Sequence, residues 1–297
     1  MNSSYFPSAL NTEIKVLDPK VLRWAWTAGM FENPGELERC RNQKINWFAG
    51  YLFPEESPFK LEQIMKFFLC LFLLDDLLDI YLDSHMEQYL KHLKSGKASH
   101  PILRLEKLGG NLLQLNKEII QGYGASYLRK QWEATWQEHL EALQWEIRSK
   151  KNGVAPALKE YRMYRPKASG AYLAIGFLKK DDSLQDCKSE LLESLVARYI
   201  CLSNDLASYT KEMKIGDFHN EVHILKKEIG EEAIVWVQKE IVRLRKSIWV
   251  LTEQVGAQSE QCFRWTRSLL LQAGGCTAWT VESSRYQVYI NGNSATH

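Results

Sequence analysis

The sequence has no apolar run long enough to cross a membrane. Its longest, Phe67 to Leu74, is eight residues and stops at two aspartates, whereas a spanning helix needs about twenty. It has no excess of either charge: 38 Lys and Arg stand against 36 Asp and Glu, a net +2, so nothing in the balance points to nucleic acid. It also lacks linkers rich in Gly, Ser or Pro, low-complexity tracts and internal repeats, which excludes collagen-like, solenoid and disordered classes. The six cysteines are scattered without a CxxC pair and read as reduced, buried thiols rather than a disulfide frame or zinc site. Met1-Asn2-Ser3-Ser4-Tyr5 has neither the basic nor the apolar region of a secretion signal, so a cytoplasmic location is expected.

What is present is helical periodicity almost throughout. Asn33-Pro34-Gly35 opens a segment with Leu37, Cys40, Phe48 and Leu52 on one side, ending at Pro54; a capping residue followed by proline starts a helix well. Lys60 to Asp83 reads as a second helix, apolar nearly all round over Phe67 to Leu74 and therefore central. Ser126 to Ser149 carries Leu128, Trp132, Trp136, Leu140, Leu143 and Ile147 at steps of three and four, another amphipathic helix. Further helices are expected over 157–178, 184–212, 228–255 and 260–283. Only Tyr286 to Ile290 alternates like a strand. The pattern predicts an all-α fold in a single domain, with 1–18 and 291–297 as loose ends. The 10 tryptophans, 13 tyrosines and 11 phenylalanines suit a packed core or a ring-lined cavity for an apolar or cationic ligand.

Two polar motifs carry chemistry. Leu73-Leu74-Asp75-Asp76-Leu77-Leu78-Asp79 places acids directly after the buried run. Residues four apart share a helix face, so Asp75, Asp79 and Asp83 form one acidic stripe with Asp76 beside it. Such a stripe repels itself and calls for a cation with oxygen preference, here a divalent metal; a plain exposed acidic helix end is the alternative. The second motif, Asn204-Asp205-Leu206-Ala207-Ser208-Tyr209-Thr210-Lys211-Glu212, puts Asn204, Ser208 and Glu212 on one helix face over roughly 12 Å. Amide carbonyl, hydroxyl and carboxylate are hard-oxygen donors suited to Mg²⁺ with phosphate oxygens or water completing the shell. Lys211 could bind the same phosphates, and Asp205, like Asp76, stands next to a ligand position.

The two motifs together resemble the paired metal motifs of class I terpene synthases, particularly the single-domain microbial type, a helical bundle around a central apolar cavity. Trp145-Glu146 with Arg148, then Pro156, then Glu160-Tyr161 with Arg165 and Gly170, is similar to the stretch before the second motif in those enzymes, and Arg285-Tyr286 resembles their C-terminal diphosphate-binding pair. One departure stands out. Where relatives carry two adjacent arginines, one sensing diphosphate, this chain has Arg165-Pro166; Arg165, Arg162 or Lys167 is then left for that role. Pro166 argues against a regular helix here, and Ser169-Gly170 resembles the family's helix break.

The resemblance implies an isoprenyl diphosphate substrate, farnesyl before geranylgeranyl diphosphate, and three Mg²⁺ ions held by Asp75, Asp79, Asn204, Ser208 and Glu212, with Arg165, Lys211, Arg285 and Tyr286 on the diphosphate. It also allows a homodimer. A carbocation left by diphosphate must be kept from water by an apolar, aromatic pocket. Phe72 and Phe68 lie one and two turns before Asp75 on its face; Trp279, Tyr172 and Gly170 are further candidates for the lining. Asp181-Asp182-Ser183 reads as a helix N-cap, and His219 with His223 as surface histidines rather than zinc ligands. A chain-elongating prenyltransferase and a head-to-head synthase would carry a second aspartate-rich motif instead of the Asn/Ser/Glu type. A non-catalytic terpenoid-binding protein would not need the intact ligand set.

Overall fold

The structure is a computed structural model that describes residues 6–82, 84–179 and 187–285. All regular structure among them is helical: α1 (Ile14–Thr27), α2 (Pro34–Asn42), α3 (Trp47–Leu52), α4 (Pro58–Ile80), α5 (Ser84–Lys94), α6 (Leu103–Gly122), α7 (Ser126–Asn152), α8 (Leu158–Ala168), α9 (Ala171–Gly176), α10 (Cys187–Ile215), α11 (Glu221–Ile229), α12 (Glu232–Gly256) and α13 (Glu260–Glu282). Local chemistry sets several of the starts. Asn33 accepts from the Glu36 N–H ahead of Pro34, Ser57 from Lys60 ahead of Pro58, and Ser259 from Cys262, each satisfying an amide that the helix leaves unpaired.

The helix over the apolar run is the centre of the packing. Phe67, Leu69 and Cys70 of α4 are fully enclosed, with Phe68, Leu73 and Leu74 nearly so, and α4 rests on α1, α3 and α6. The second long helix, α10, packs on α8, α9, α11, α12 and α13, while α7 packs on α5, α6, α8 and α9. Helices α4, α7, α8, α10 and α13 surround one cavity. The five cysteines whose side chains are described are free and buried. Among the described residues no helix is long and apolar enough to cross a membrane.

Several boundaries differ from the periodicity. The segment from Asn33 to Pro54 is two helices, because Lys44 turns into the left-handed region at φ 53°. The helix expected from 228 begins earlier, as α11, and is interrupted at Gly230 (φ 67°) before α12. Pro166 does not disrupt its helix. It lies in the last turn of α8, where it removes a single backbone hydrogen bond; the break falls at Gly170, whose φ of 74° suits a residue without a side chain. The expected loose start is instead packed from Phe6 onward: its ring meets Tyr199 and Trp249 at 4.9 and 5.8 Å, and Ile14 and Leu17 of α1 are buried. The strand-like stretch from Tyr286, the tail 291–297 and the acids at 181–186 lie outside the described residues.

Two adjacent glycines let α13 approach the rest of the chain. A Cβ on Gly275 would stand 2.2 Å from the Tyr51 carbonyl oxygen at the end of α3, and one on Gly274 only 2.0 Å from the Pro7 carbonyl. Gly275→Ala is therefore expected to destabilise the protein by about 1–3 kcal/mol in urea unfolding. Gly110→Ala, at a site with nothing within 4 Å, should leave stability unchanged or raise it, since alanine is the better helix former; equal effects of the two would contradict this packing.

Candidate active site

Three helices line the cavity in the same sense. On α4 the lining residues are Phe68, Leu71 and Phe72, then Asp75 and Asp79; on α7 they are His139 and Leu143, then Glu146 and Lys150; on α10 they are Ile200 and Cys201, then Asn204, Lys211 and Glu212. Each series follows the one- and two-turn steps of a helix face, and each changes from apolar to polar or charged along the chain, α10 then closing on Ile215. The result is an apolar floor under a charged mouth, enclosing about 1260 Å³ of space between atoms with the mouth included.

The floor is a wall of rings. Phe48 meets Phe68, Phe72 and Trp279 edge-on at 5.4, 5.3 and 5.0 Å, and Phe72 lies 5.6 Å from Trp279. Trp279 is fixed by donating its indole N–H to the Lys44 carbonyl at 2.8 Å. His139 donates from Nδ1 to the Lys167 carbonyl at 2.8 Å, the carbonyl being able only to accept. Burial pushes this imidazole down to about 4, so it is neutral at pH 7, and its Nε2 has no hydrogen-bond partner among the described residues.

Among the described residues, carboxylates outnumber cations at the mouth. Burial, then the charges of Asp79 and Glu146, push the Asp75 carboxyl up to about 7. Burial and the nearby Asp205 do the same to Glu212, whose carboxylate is held by the Asn220 amide at 2.8 Å. Lys150 lies 2.7 Å from Asp79, 2.9 Å from Glu146 and 3.2 Å from Asp217. Arg285 donates to Asp76 at 2.9 Å and stands 3.9 Å from Asp75, with its guanidinium 5.6 Å over the Phe72 ring. Burial and the neighbouring Arg285 pull the Lys211 ammonium below its ordinary value.

Behind the mouth lies a closed polar network. Asp205 is fully buried. One of its oxygens accepts from Arg165 at 3.0 and 2.9 Å; the other accepts from the Tyr161 hydroxyl at 2.8 Å and the Glu221 N–H at 3.1 Å. Arg165 also donates to the side-chain amide oxygen of Asn204, Oδ1, at 3.0 Å. Glu221, equally buried, is bound by Arg162 and Arg198. The three cations left open by the missing arginine are thus separated: Arg165 lines the cavity, Arg162 is spent on Glu221, and Lys167 pairs with Glu138 at 3.3 Å.

Of the residues singled out from the sequence, the structure brings Asp75, Asp79, Asn204, Glu212, Arg165, Lys211, Arg285, Phe68, Phe72 and Trp279 to this one cavity. Ser208 is buried behind its wall, its Oγ 3.5 Å from the Asp205 carbonyl. Asp76 turns to Arg285, and Asp205 points inward. Gly170 is set back, with the wall formed by Ala168 and Ser169 instead. Tyr172 does not line this cavity; it borders a separate one with Tyr123, Trp132, Lys179 and Glu193, because the break at Gly170 redirects α9. Tyr286 and Asp83 lie outside the described residues. His219 is not a surface residue: it is buried, lines the cavity and bonds Ser149 Oγ at 2.9 Å, because the loop before α11 folds back over α7. Lys150, Asp217, His139, Phe48 and Asn220 were not singled out as site residues, and Glu146 only within a stretch of resemblance. The steps 139, 143, 146 and 150 were the available signal.

Residues 66–247 match the family described as terpene synthase family 2, C-terminal metal binding. Among curated proteins, the chain is 24% identical to a 4-epi-cubebol synthase of Streptosporangium roseum that cyclises (2E,6E)-farnesyl diphosphate, over 95% of this chain and 90% of that one. It is 23% identical to a germacrene A synthase of Nostoc punctiforme over 95% and 93%. Among solved structures it superposes on a linalool/nerolidol synthase from Streptomyces clavuligerus with a TM-score of 0.79 at 14% identity, covering 92% of this chain and 98% of that one.

The network separates members that hold the fold from those that face the cavity. Asp205→Ala strands the mostly buried Arg165 guanidinium and is expected to cost about 3–5 kcal/mol in urea unfolding. Asp79→Ala, removing a side chain about half exposed, should cost at most about 1 kcal/mol. Comparable losses from both would show that Asp205 is no structural anchor.

Proposed function

The chain belongs to terpene synthase family 2 and is a class I terpene synthase, and on that footing we propose that it is a Mg²⁺-dependent cyclase that ionises a linear isoprenyl diphosphate and releases diphosphate. The observation that carries this reading is a single cavity with an acidic, cation-studded mouth over a floor of aromatic rings. Farnesyl diphosphate is the favoured substrate, in keeping with the relative that cyclises it, and geranylgeranyl diphosphate comes second. One catalytic domain then spans the chain.

The donor chemistry fits magnesium. Among the described residues no three His, Cys, Asp or Glu side chains form a group that could hold a metal ion. Each ion would have one or two protein oxygens, from Asp75 and Asp79 on one wall or Asn204 and Glu212 on the other, and would take the rest from diphosphate and water, as Mg²⁺ prefers. Ser208 would join the second set by turning its hydroxyl outward. Charge agrees. Counting partners just behind the wall, and among the described residues, Asp75, Asp76, Asp79, Glu146, Asp205, Glu212 and Asp217 face Lys150, Arg165, Lys211, Arg285 and the more distant Arg39. That net deficit and a diphosphate of about three negative charges together come close to the charge of three divalent cations. The Asp75 and Glu212 carboxyls are raised first by burial and then by neighbouring carboxylates.

Bound there, Mg²⁺ would stabilise the charge that develops on the leaving diphosphate. Lys211, Arg285 and Tyr286 would hold its oxygens, with Arg165 orienting Asn204 from behind. As the allylic C–O bond breaks, its electron pair leaves with diphosphate, and the carbocation is left among Phe48, Phe68, Phe72 and Trp279, whose ring faces attract positive charge and whose packing excludes water. Loss of a proton, which departed diphosphate can accept, or capture of water ends the sequence.

The test is gas chromatography–mass spectrometry of products from geranyl, farnesyl and geranylgeranyl diphosphate, with Mg²⁺ and with EDTA. A cyclic hydrocarbon or alcohol that disappears with EDTA is expected. Asp75→Ala and Asn204→Ala should each lower turnover roughly 100-fold or more with unchanged helical circular dichroism. Near-normal turnover in either variant would overturn the ligand assignment, and a folded protein that yields no product from any substrate would overturn the cyclase reading.

A further inference from the structure

Lys150 is an unusual guest in an acidic wall. Its side chain is only 11% exposed, and its ammonium lies 2.7 Å from Asp79 of α4, 2.9 Å from Glu146 one turn earlier on its own helix and 3.2 Å from Asp217 in the loop after α10. An ammonium has three N–H donors, and here three carboxylates, from three separate parts of the chain, surround it. The spacing of four to Glu146 presets Lys150 on this face. Only Asp79 belongs to the proposed metal-binding set; Glu146 and Asp217 have no other part in that set.

An ion approaching Asp79 therefore meets a fixed positive charge already in contact with the carboxylate it needs. The ammonium holds one Asp79 oxygen, Oδ1, so an ion taking the other would stand close to a like charge and be repelled by it. Diphosphate changes the balance, because its oxygens can accept from the ammonium while bridging to the metal.

Resting on the functional reading above, we infer that Lys150 is a positioning residue that makes metal uptake at Asp79 conditional on diphosphate. In the empty enzyme it is the counter-ion of Asp79, Glu146 and Asp217; when metal and diphosphate enter together it exchanges Asp79 for a diphosphate oxygen. The substrate-free enzyme then stays poor in metal, and the acidic wall is kept from collapsing or spreading in the meantime.

The inference is tested by binding, without turnover. Mn²⁺ affinity is measured by electron paramagnetic resonance, with and without inorganic diphosphate, for the unmodified protein, Lys150→Met and Lys150→Arg, each checked by circular dichroism. In the unmodified protein diphosphate should tighten Mn²⁺ binding about tenfold or more, a typical coupling between sites. Lys150→Met should bind Mn²⁺ alone about tenfold more tightly and lose most of that coupling, whereas Lys150→Arg should retain it. If Lys150→Met does not fold, Lys150→Met with Glu146→Gln removes one of the stranded charges and is judged by the same criterion. A methionine variant that matches the unmodified protein in both conditions overturns this inference alone. Unmodified protein that binds no Mn²⁺ even with diphosphate overturns the functional reading and the inference together.

Discussion

The arrangement depends on one buried carboxylate. Asp205 has no contact with solvent, yet it joins three elements: Arg165 and Tyr161 from α8, and the first amide of α11 through Glu221. A charge in that position is tolerated only when its lone pairs are filled, and here both oxygens are. Because Arg165 also binds Asn204, the pair sets the cavity-facing side of α10 as well as its back. Asn220 extends the same logic, donating to the Asp205 carbonyl at 2.6 Å and to Glu212 at 2.8 Å. The polar face of α10 is therefore oriented from behind before any ligand arrives, which is the preorganisation an electrostatic site requires.

The mouth and the floor make opposite demands on the same helices. The floor gathers rings and aliphatic side chains, and the mouth, among the described residues, gathers more carboxylates than cations. Each long helix meets both by turning from apolar to polar along its length, at Asp75 on α4, Glu146 on α7 and Asn204 on α10. The protein's own cations sit at the mouth against carboxylates, so the charge deficit is distributed rather than concentrated on one group. The neutral His139, at the apolar level of α7, adds no charge to the floor.

How much of this could be read in the sequence follows from how local each feature is. The acidic stripe on α4 and the Asn/Ser/Glu series on α10 are statements about spacing along one helix, and spacing is visible. The aromatic face of Phe68 and Phe72 was legible for the same reason. Lys150 and Asp217 were not, because each looks like an ordinary solvated charge until α4, α7 and the loop after α10 are brought together. Ser208 and Asp205 show the limit of helical periodicity: it says which residues share a face, but the depth of that face depends on what packs against it, here α8 and α11. Tyr172 failed for a related reason, since a single glycine with positive φ turned the following helix away from the cavity. The start of the chain contains Phe6, whose place against Tyr199 and Trp249 is a long-range contact that no local pattern announces.

The common direction of α4, α7 and α10 has a consequence for the order in which charges can gather. All three end at the mouth, and Asp79, Lys150 and Glu212 lie in their last turns. A helix carries a macrodipole whose C-terminal end is equivalent to about half a negative charge, so three aligned carbonyl ends add to the field of the carboxylates there. The backbone's share of the field at this rim disfavours an anion by itself and favours positive charge, of which the protein's own lysines and arginines already supply a part. The backbone thus adds, independently of any side chain, to the negative potential that the carboxylates set up at this rim.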